Sequence, residues 1–457
     1  LEIEVVVTRG LGDNSYVIAS DGEALIVDPQ RDAGRLLAIV MRKGLSVRAV
    51  LETHVHNDYV SGALEISKAT GAEIAAPALG SYGFPTRPMA DGDEVVMGGI
   101  RLRALETPGH TPEHISYLLF EDGSDVASAV FTGGSLMVGG AGRTDLLGPA
   151  LADELTRAQY RTLRKLAELP SEVRVLPTHG AGSFCGAGPA PKERVSTIAV
   201  ERARNPALSA PDEESFVRQQ LSGLLAYPAY YRFMAPMNRA GPSLLADLPR
   251  PVALTPDEVE DRISAGAWVV DARWRFAFAR AHVPGSLNIE LDDTFASYVG
   301  WLVPFNDPLV LVLPDPVEET LEEATTQLLR VGFERTLGYM AGGVEAWVSS
   351  GRDQESYGVA GLDEFCREYR AGRARAVLDV RQQTEWDKGH IPGSVHVFVG
   401  DLPGRLEAVP RDGEVWAICA TGHRSSMAGS VLARAGVPVR VVEGTGVPDF
   451  LAHCVEP

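Results

Sequence analysis

The sequence predicts a multidomain α/β chain, and three observations carry the prediction. The first ~190 residues alternate short β-rich runs with turns that carry His, Asp or Gly; a Pro-bearing boundary follows; and about the last 200 residues contain an internal repeat. The β-rich runs are EIEVVV, SYVIAS, EALIVDP, RAVLET, RLRALET, ISYLLF, SAVFTG and VRVLPTH. Several give way to polar or Gly-rich clusters, which is where α/β sheets build sites from loops. ADELTRAQYRTLRKLAEL has apolar residues at helical spacing, residues 191–245 read as helices with an irregular connection, and LPRPVALTP marks a boundary near 248–256.

In the repeat, Asp271, Arg273, His282, Pro284, Gly285 and Ser286 recur as Asp379, Arg381, His390, Pro392, Gly393 and Ser394, each displaced by 108 positions. Each copy reads as helix, buried strand ending in Asp-x-Arg, turn with H-x-P-G-S, further strand and helix. That order suits a small parallel α/β sheet. The domains expected are 1–245, 253–352 and 357–457.

A chain of 457 residues exceeds one ordinary core. Its 45% hydrophobic and 23% charged content are those of a globular protein, and a net charge of -19 with no run of Lys and Arg argues against nucleic-acid or acidic-membrane partners. No segment offers about 18 uncharged apolar residues, so a chain neither exported nor membrane-spanning is expected. The four cysteines, at 185, 366, 419 and 454, lack the spacing of a disulfide scaffold or zinc ribbon, so reduced thiols in a cytoplasm are expected, with no chemistry for Cys366 or Cys454.

In the second copy the apolar run EVWAI leads into Cys419-Ala420-Thr421-Gly422-His423-Arg424, followed by a plausible helix. A thiol between a strand end and a helix N-terminus meets amide N–H groups and the positive end of the helix dipole, which favour thiolate. Gly422 permits a tight loop and Arg424 adds a fixed cation. The alternative, a small buried core cysteine, does not explain loop, helix and upstream signatures together. The segment resembles the active-site loop of the rhodanese family, CxxGxR, met at Cys419, Gly422 and Arg424. The resemblance implies that fold for about 357–457, with Cys419 and Arg424 catalytic and Thr421, Gly422 and His423 lining the loop. The first copy has LVLVLPDPVEET at the corresponding place, with Asp315, Glu318 and Glu319 and no Cys or Arg. We read it as an inactive rhodanese-like domain, and GGVEAW at 342–347 as a packed helix start.

In the N-terminal part, RAVLET delivers His54-Val55-His56-Asn57-Asp58-Tyr59. Two His separated by one residue in a strand point to the same side and can reach one cation. TPGHTPEH adds His110, SAVFTGGS carries Gly134, and LPTHGAGSFC carries His179 and Cys185. This series resembles the metallo-β-lactamase superfamily, with its HxHxDH motif and later His, Asp and His. Within it the likeness is to persulfide dioxygenases and their rhodanese fusions, carried by FTGGSLMVGGAGRTD and HGAGSFCG. The resemblance implies a metallo-β-lactamase αββα sandwich followed by two rhodanese-like doubly wound α/β domains, with mononuclear Fe(II) held by two His and one Asp.

The two His map to His54 and His110, but the family Asp falls at Gly134 and the last His of HxHxDH at Tyr59. Three alternatives stay open. His56 completes a three-His site, a displaced carboxylate such as Asp58 or Asp145 serves, or the site holds no metal; zinc is the alternative to iron. On this reading Gly134→Asp should raise iron occupancy. His179 is balanced between an outer role and a purely structural one, His114 and His282 read as structural, Asp145 as either orienting a ligand or, in preference, capping the following helix, and Cys185 as either a buried inert thiol or a sulfur acceptor.

The expected activity is oxidation of a low-molecular-weight persulfide with O₂ to sulfite, joined to transfer of sulfane sulfur through Cys419 to a thiol acceptor, with thiosulfate as a further substrate. The alternatives are a sulfurtransferase or sulfur relay with a metal-poor N-terminal domain, a glyoxalase II-like thioester hydrolase, and a non-catalytic sensor. Self-association into a homo-oligomer is left open.

Overall fold

In the computed structural model, which describes residues 1–121, 123–187, 191–411 and 413–454, the chain folds as two compact units. One comprises Leu1–Leu248 with Leu329–Gly332, and the other the rest of the chain from Pro249 onward. The first unit stacks two six-stranded sheets. One runs in the order Glu2–Thr8, Asp13–Ser20, Glu23–Val27, Ser46–Leu51, Glu73–Pro77, Arg87–Met89; the other in the order Ser196–Thr197, Arg174–Pro177, Ala129–Gly133, Ile115–Glu121, Ile100–Glu106, Glu94–Met97.

The alternation in Ile100–Glu106 shows why the sheets stack. Ile100, Leu102 and Ala104 are buried, while Arg101 and Arg103 lie on the other face with their guanidinium groups 4.8 and 4.7 Å from the Phe120 ring. The inner faces join Tyr16, Ile18, Leu25 and Leu51 to Leu102, Tyr117, Phe131 and Leu176 in one core. Each such side chain contributes about 1.5–3 kcal/mol when taken fully out of water.

Helices cover both outer faces. Gly34–Arg42 and Ala63–Thr70 bury Leu36, Ile39, Val40 and Ile66 against Ile26, Val50 and Ile74. The helix expected around ADELTRAQYRTLRKLAEL spans Pro149–Ala167, and buries Leu155, Gln159, Thr162, Leu163 and Leu166 at three- and four-residue spacing. This is the αββα sandwich expected. Parallel strands such as Ser46–Leu51 and Arg174–Pro177 run into the turns that carry His54 and His179, so the turns gather at one sheet end.

The second unit holds two all-parallel five-stranded sheets with the same strand order. The first is Val252–Leu254, Thr336–Met340, Leu309–Val312, Trp268–Asp271, Leu287–Asn288; the second is Gly358–Ala360, Val439–Val442, Val415–Ile418, Ala376–Asp379, Val395–His396. The repeated residues turn out to be one staple used twice. Arg273 lies 2.7 Å from Asp271 Oδ2 and donates to Ala281 O at 2.9 Å; Arg381 lies 2.7 Å from Asp379 Oδ2 and donates to Gly389 O at 2.8 Å. Ser286 and Ser394 donate to Val283 O and Ile391 O, closing turns in which Gly285 and Gly393 have φ of 74° and 78°. His282 stacks on Phe278 at 3.9 Å and donates to its carbonyl, and His390 does the same on Trp386. In GGVEAW, the helix Gly343–Ser349 buries Val344 and Trp347.

One expectation is corrected here. Cys366 and Cys454 form a disulfide with a Cα–Cα distance of 5.8 Å. The helices Leu362–Arg370 and Val447–His453 share an apolar cluster with Phe365 and Phe450, which brings the two sulfurs together across 88 positions of sequence. Reduced thiols were the ground for expecting a cytoplasmic protein, so that ground is removed. Among the described residues no helix is long and apolar enough to cross a membrane.

Candidate functional sites in the two units

His54, His110 and His179 are fully buried, and their ring centres form a near-equilateral triangle with sides of 5.0, 5.3 and 5.4 Å. Each ring has its Nδ1 held. His54 Nδ1 lies 2.8 Å from Thr53 Oγ1, whose own proton goes to Asp28; His110 Nδ1 donates to Arg143 O at 2.7 Å; His179 Nδ1 donates to Asp13 Oδ1 at 2.8 Å. In the neutral rings of His54 and His110, with Nδ1 protonated, Nε2 carries the lone pair. His54 Nε2 and His179 Nε2 are 3.3 Å apart, and His110 Nε2 has no hydrogen-bond partner. One ligand atom from each of the three lies within 4.8 Å of the others.

His56 stands differently. Its Nε2 lies 2.9 Å from Glu52, 3.4 Å from Asp28 and 3.0 Å from Tyr59 Oη, its ring stacks on Tyr59, and its Nδ1 lacks a partner. Burial works against a charge there, but Asp28 and Glu52 outweigh it and hold His56 well above the ordinary 6.5. Asp58 Oδ2 lies 3.3 Å from His179 Nδ1, on the side shared with Asp13. With His56 and His179 it forms a second cluster whose ligand atoms lie within 4.8 Å of one another, and Asp28, His54 and His56 form a third. Burial and Asp58 push Asp13 up to about 7, whereas the charge of His179 holds Asp58 low despite burial. At His179 burial is outweighed by Asp58 and Asp13, which raise it to about 10. Burial and the neighbouring imidazoles hold His54 well below 6.5 and bring His110 down to about 3.

The remaining expected residues fall into place around this cluster. Asp145 neither caps the helix Pro149–Ala167, whose N-cap is Gly148, nor faces the imidazoles; it grips Arg143 at 2.7 and 2.8 Å, and the Arg143 carbonyl orients His110. His114 is structural, as expected: it accepts the Gly134 N–H at 3.0 Å and lies 2.9 Å from Thr107 Oγ1. Cys185 is buried beside the cluster, where burial and then Asp58 and Asp13 keep its thiol protonated, which supports the inert reading. Gly134 is not a gap awaiting a carboxylate. A Cβ there would meet His110 Cδ2 at 2.2 Å, because the imidazole ring fills that space.

Buried polar atoms without hydrogen-bond partners, namely His110 Nε2, His56 Nδ1, Asp58 Oδ1 and Asp13 Oδ2, fit a cation, since such atoms are costly unless something charged or polar meets them. The cluster is closely covered. Tyr230 donates to Asp58 O, Asn238 of the helix Tyr231–Ala240 donates to His56 O and Tyr59 O, and the space lined by His54, His56, Tyr82 and Phe84 is only about 10 Å³.

In the second unit the strand Val415–Ile418 is fully buried and ends at Cys419, and the helix His423–Arg434 starts after Gly422. Gly422 N–H donates to Cys419 Sγ at 3.1 Å, and Ser425 Oγ lies 3.6 Å from the sulfur. Gly422 has φ of 100°, and a Cβ there would sit 1.9 Å from Glu443 Oε2. Only glycine meets both conditions. Cys419 is 1% exposed, while Thr421 in the same loop is exposed. Arg424 is held by two bonds to Glu385, at 2.5 and 2.8 Å.

Four residues of the first repeat reach this loop or the residues packed beside it, which sequence spacing did not reveal. Asp292 is 3.5 Å and the Tyr298 ring 5.6 Å from His423, Arg275 is 3.6 Å from Glu443, and Asn288 accepts from Ser426 at 3.0 Å. The corresponding strand end of the first repeat continues through Asp315–Pro316 into the helix Val317–Arg330, with no sulfur or cation in the loop.

The comparisons agree with this architecture. The metallo-beta-lactamase superfamily matches residues 8–179, and the rhodanese-like domain matches twice, over 255–350 and 362–450. The chain belongs to the metallo-beta-lactamase superfamily, and two rhodanese-like domains follow in its C-terminal half. A hydroxyacylglutathione hydrolase from Methylobacillus flagellatus is 30% identical over 276 residues, 60% of this chain and 99% of that protein. One from Cereibacter sphaeroides is 35% identical over 184 residues, 39% of this chain and 67% of that one. The solved structure of a metallo-beta-lactamase from Staphylococcus aureus is similar with a TM-score of 0.67 and 27% identity, covering 74% of this chain and 98% of that chain.

Proposed function

We propose that this chain handles sulfane sulfur, transferring it through Cys419 and oxidising a low-molecular-weight persulfide at a metal centre in the N-terminal unit. The observation that carries the reading is the amide N–H of Gly422 at 3.1 Å from a thiol sulfur placed at a helix start. That donor and the helix dipole stabilise negative charge on sulfur, first as thiolate and then as terminal persulfide. With thiosulfate, the Cys419 thiolate forms a bond to the sulfane sulfur, and the sulfur–sulfur bond of the substrate breaks with its electron pair leaving on sulfite. A thiol or cyanide then takes the terminal sulfur and returns the Cys419 thiolate.

In the N-terminal unit the buried histidine cluster would hold iron(II), which would supply the redox chemistry that activates dioxygen toward a persulfide. The protein's part is to fix the imidazoles through Thr53, Arg143 and Asp13 and to exclude water with Tyr230, Tyr82 and Phe84. Persulfide, dioxygen and water together balance to thiol, sulfite and protons. The test is twofold. Cys419→Ser should abolish thiocyanate formation from thiosulfate and cyanide, and unchanged turnover would refute the transfer role. Iron in the purified protein with O₂ uptake on glutathione persulfide supports the oxidation, and absence of both refutes it.

A second reading is thioester hydrolysis, favoured by the 30% identity to a hydroxyacylglutathione hydrolase. It requires a second metal, and Tyr59 and Gly134 stand where two of its ligands would be sought. Two equivalents of zinc with thioesterase activity would favour it.

A further inference from the structure

We propose that His423 carries the proton in sulfur transfer from Cys419 to a thiol, and that Asp292 of the first repeat orients it: the imidazole takes the proton of the acceptor thiol and returns it to the transferred sulfur. The inference rests on the transfer reading above and deepens it, naming the group that handles the acceptor's proton and giving the first repeat a part in the reaction. His423 starts the helix His423–Arg434 directly after Gly422, whose N–H lies 3.1 Å from Cys419 Sγ. Its Nε2 is buried without a hydrogen-bond partner, 3.5 Å from Asp292 Oδ2 and 4.0 Å from Glu290 Oε2. Both carboxylates belong to the first repeat. Hydrogen bonds of proton-transferring groups are often long before substrate binds, and a small approach closes this one. With the Nε2 proton directed at the carboxylates, Nδ1 carries the lone pair. The side chain is 19% exposed, and since Nε2 is buried the exposed part is the rest of the ring.

The other titratable groups around the loop are committed. Arg424 and Arg275 cannot take up a proton, and Glu290 holds Arg275 at 3.0 and 2.6 Å. Burial works against the charge of Glu385, but its bonds to Arg424 outweigh it and hold the carboxyl below the ordinary 4.5. Burial raises Tyr298, whose ring meets that of His423 edge-on at 5.6 Å, to about 12. Burial raises Glu443 to about 8, so it already holds its proton at neutral pH. His423 alone of these is poised: burial brings it below 6.5, reinforced by Arg275 and Arg424 and opposed by Asp292 and Glu290. A neutral imidazole flanked by carboxylates is a base, and its charged form is stabilised once the proton arrives.

The steps balance. The acceptor thiol gives its proton to His423 Nδ1, and its sulfur forms a bond to the outer sulfur of the Cys419 persulfide. The sulfur–sulfur bond to Cys419 breaks, with its electron pair leaving on Sγ, where the Gly422 N–H meets the charge. His423 then passes the proton to the transferred sulfur, so that thiol and persulfide anion on Cys419 become a free persulfide and the Cys419 thiolate.

The test loads the full chain with thiosulfate and follows single-turnover discharge of Cys419 by glutathione at neutral pH and by cyanide in alkaline buffer, where cyanide is an ion with no proton to give. In His423→Gln the glutathione-to-cyanide ratio of discharge rates should fall about 100-fold. Asp292→Asn should lower it about tenfold, half the same free energy, and Asp292→Glu should restore most of it. Wild-type discharge by glutathione should fall as acid protonates the imidazole, whereas in His423→Gln it should rise with pH toward the thiol's own pKa of about 8.5. An unchanged ratio in His423→Gln or Asp292→Asn, whether both rates hold or both fall together, overturns the proposal, as does a pH profile in His423→Gln that matches the wild type. Such an unchanged ratio with discharge still dependent on Cys419 leaves the transfer reading standing without the inference. Failure of thiosulfate to load Cys419 in the wild type removes both.

Discussion

Asp13 Oδ1 lies 2.8 Å from His179 Nδ1 although 166 positions separate them, and an isolated bridge joins the same two residues through the backbone. The carboxylate sets the direction of the imidazole. Partners of this kind typically contribute 10- to 100-fold to metal affinity. Asp13→Asn keeps the shape and removes the charge, so metal affinity should fall by about that range while the far-ultraviolet circular dichroism stays unchanged. Competition titration against a chromophoric chelator measures it.

Gly134→Asp should not rescue the metal site, contrary to the expectation from the sequence. The new Cβ would begin inside van der Waals contact with the His110 ring, and overpacking of this kind costs about 1–3 kcal/mol. Lower metal content and a melting temperature reduced by several degrees are expected. Increased iron occupancy would show that the His110 ring can leave its place.

Removal of the Cys366–Cys454 link, by Cys454→Ser or by reductant, should destabilise the last domain. A disulfide enclosing a loop of this size, with 88 positions between its ends, contributes about 2–5 kcal/mol through the unfolded state. Val447 N–H donates to Cys419 O at 2.8 Å, so the helix that ends at Cys454 also starts on the sulfur-carrying loop. Thermal unfolding followed with and without dithiothreitol measures the effect, and identical curves would refute it.

Glu443 offers a pH prediction. Burial raises it from the ordinary 4.5 to about 8, with Arg275 opposing and Glu290 reinforcing the rise. A carboxyl raised in the folded state binds a proton that the unfolded chain has released, so its contribution to stability is present below about 4.5 and is lost as pH rises toward about 8. Each tenfold change in proton affinity is worth ~1.4 kcal/mol, so the loss amounts to a few kcal/mol. Glu443→Gln should flatten the pH dependence of unfolding across that window and raise stability at pH about 9. Urea unfolding at both ends of the window checks it.

The sequence by itself determined the layered β-rich first half, the tandem copies, and the loop that presents Cys419, because these depend on local pattern. Strand period, turn glycines and a 108-residue displacement are readable from neighbours in the chain. It also showed that the first copy carries acidic residues near 315–319, and no Cys, where the second carries the Cys419 loop. What it could not supply was convergence. His54, His56 and His110 were the natural trio from motif spacing; the structure gathers His54 and His110 with His179, and sets His56 with Asp28 and His54 and with Asp58 and His179. Asp13, the Cys366–Cys454 link, and the reach of Arg275, Asn288, Asp292 and Tyr298 toward the Cys419 loop likewise had no signal in spacing. Such contacts join segments up to 166 positions apart, and only strand order, register and packing decide which side chains meet.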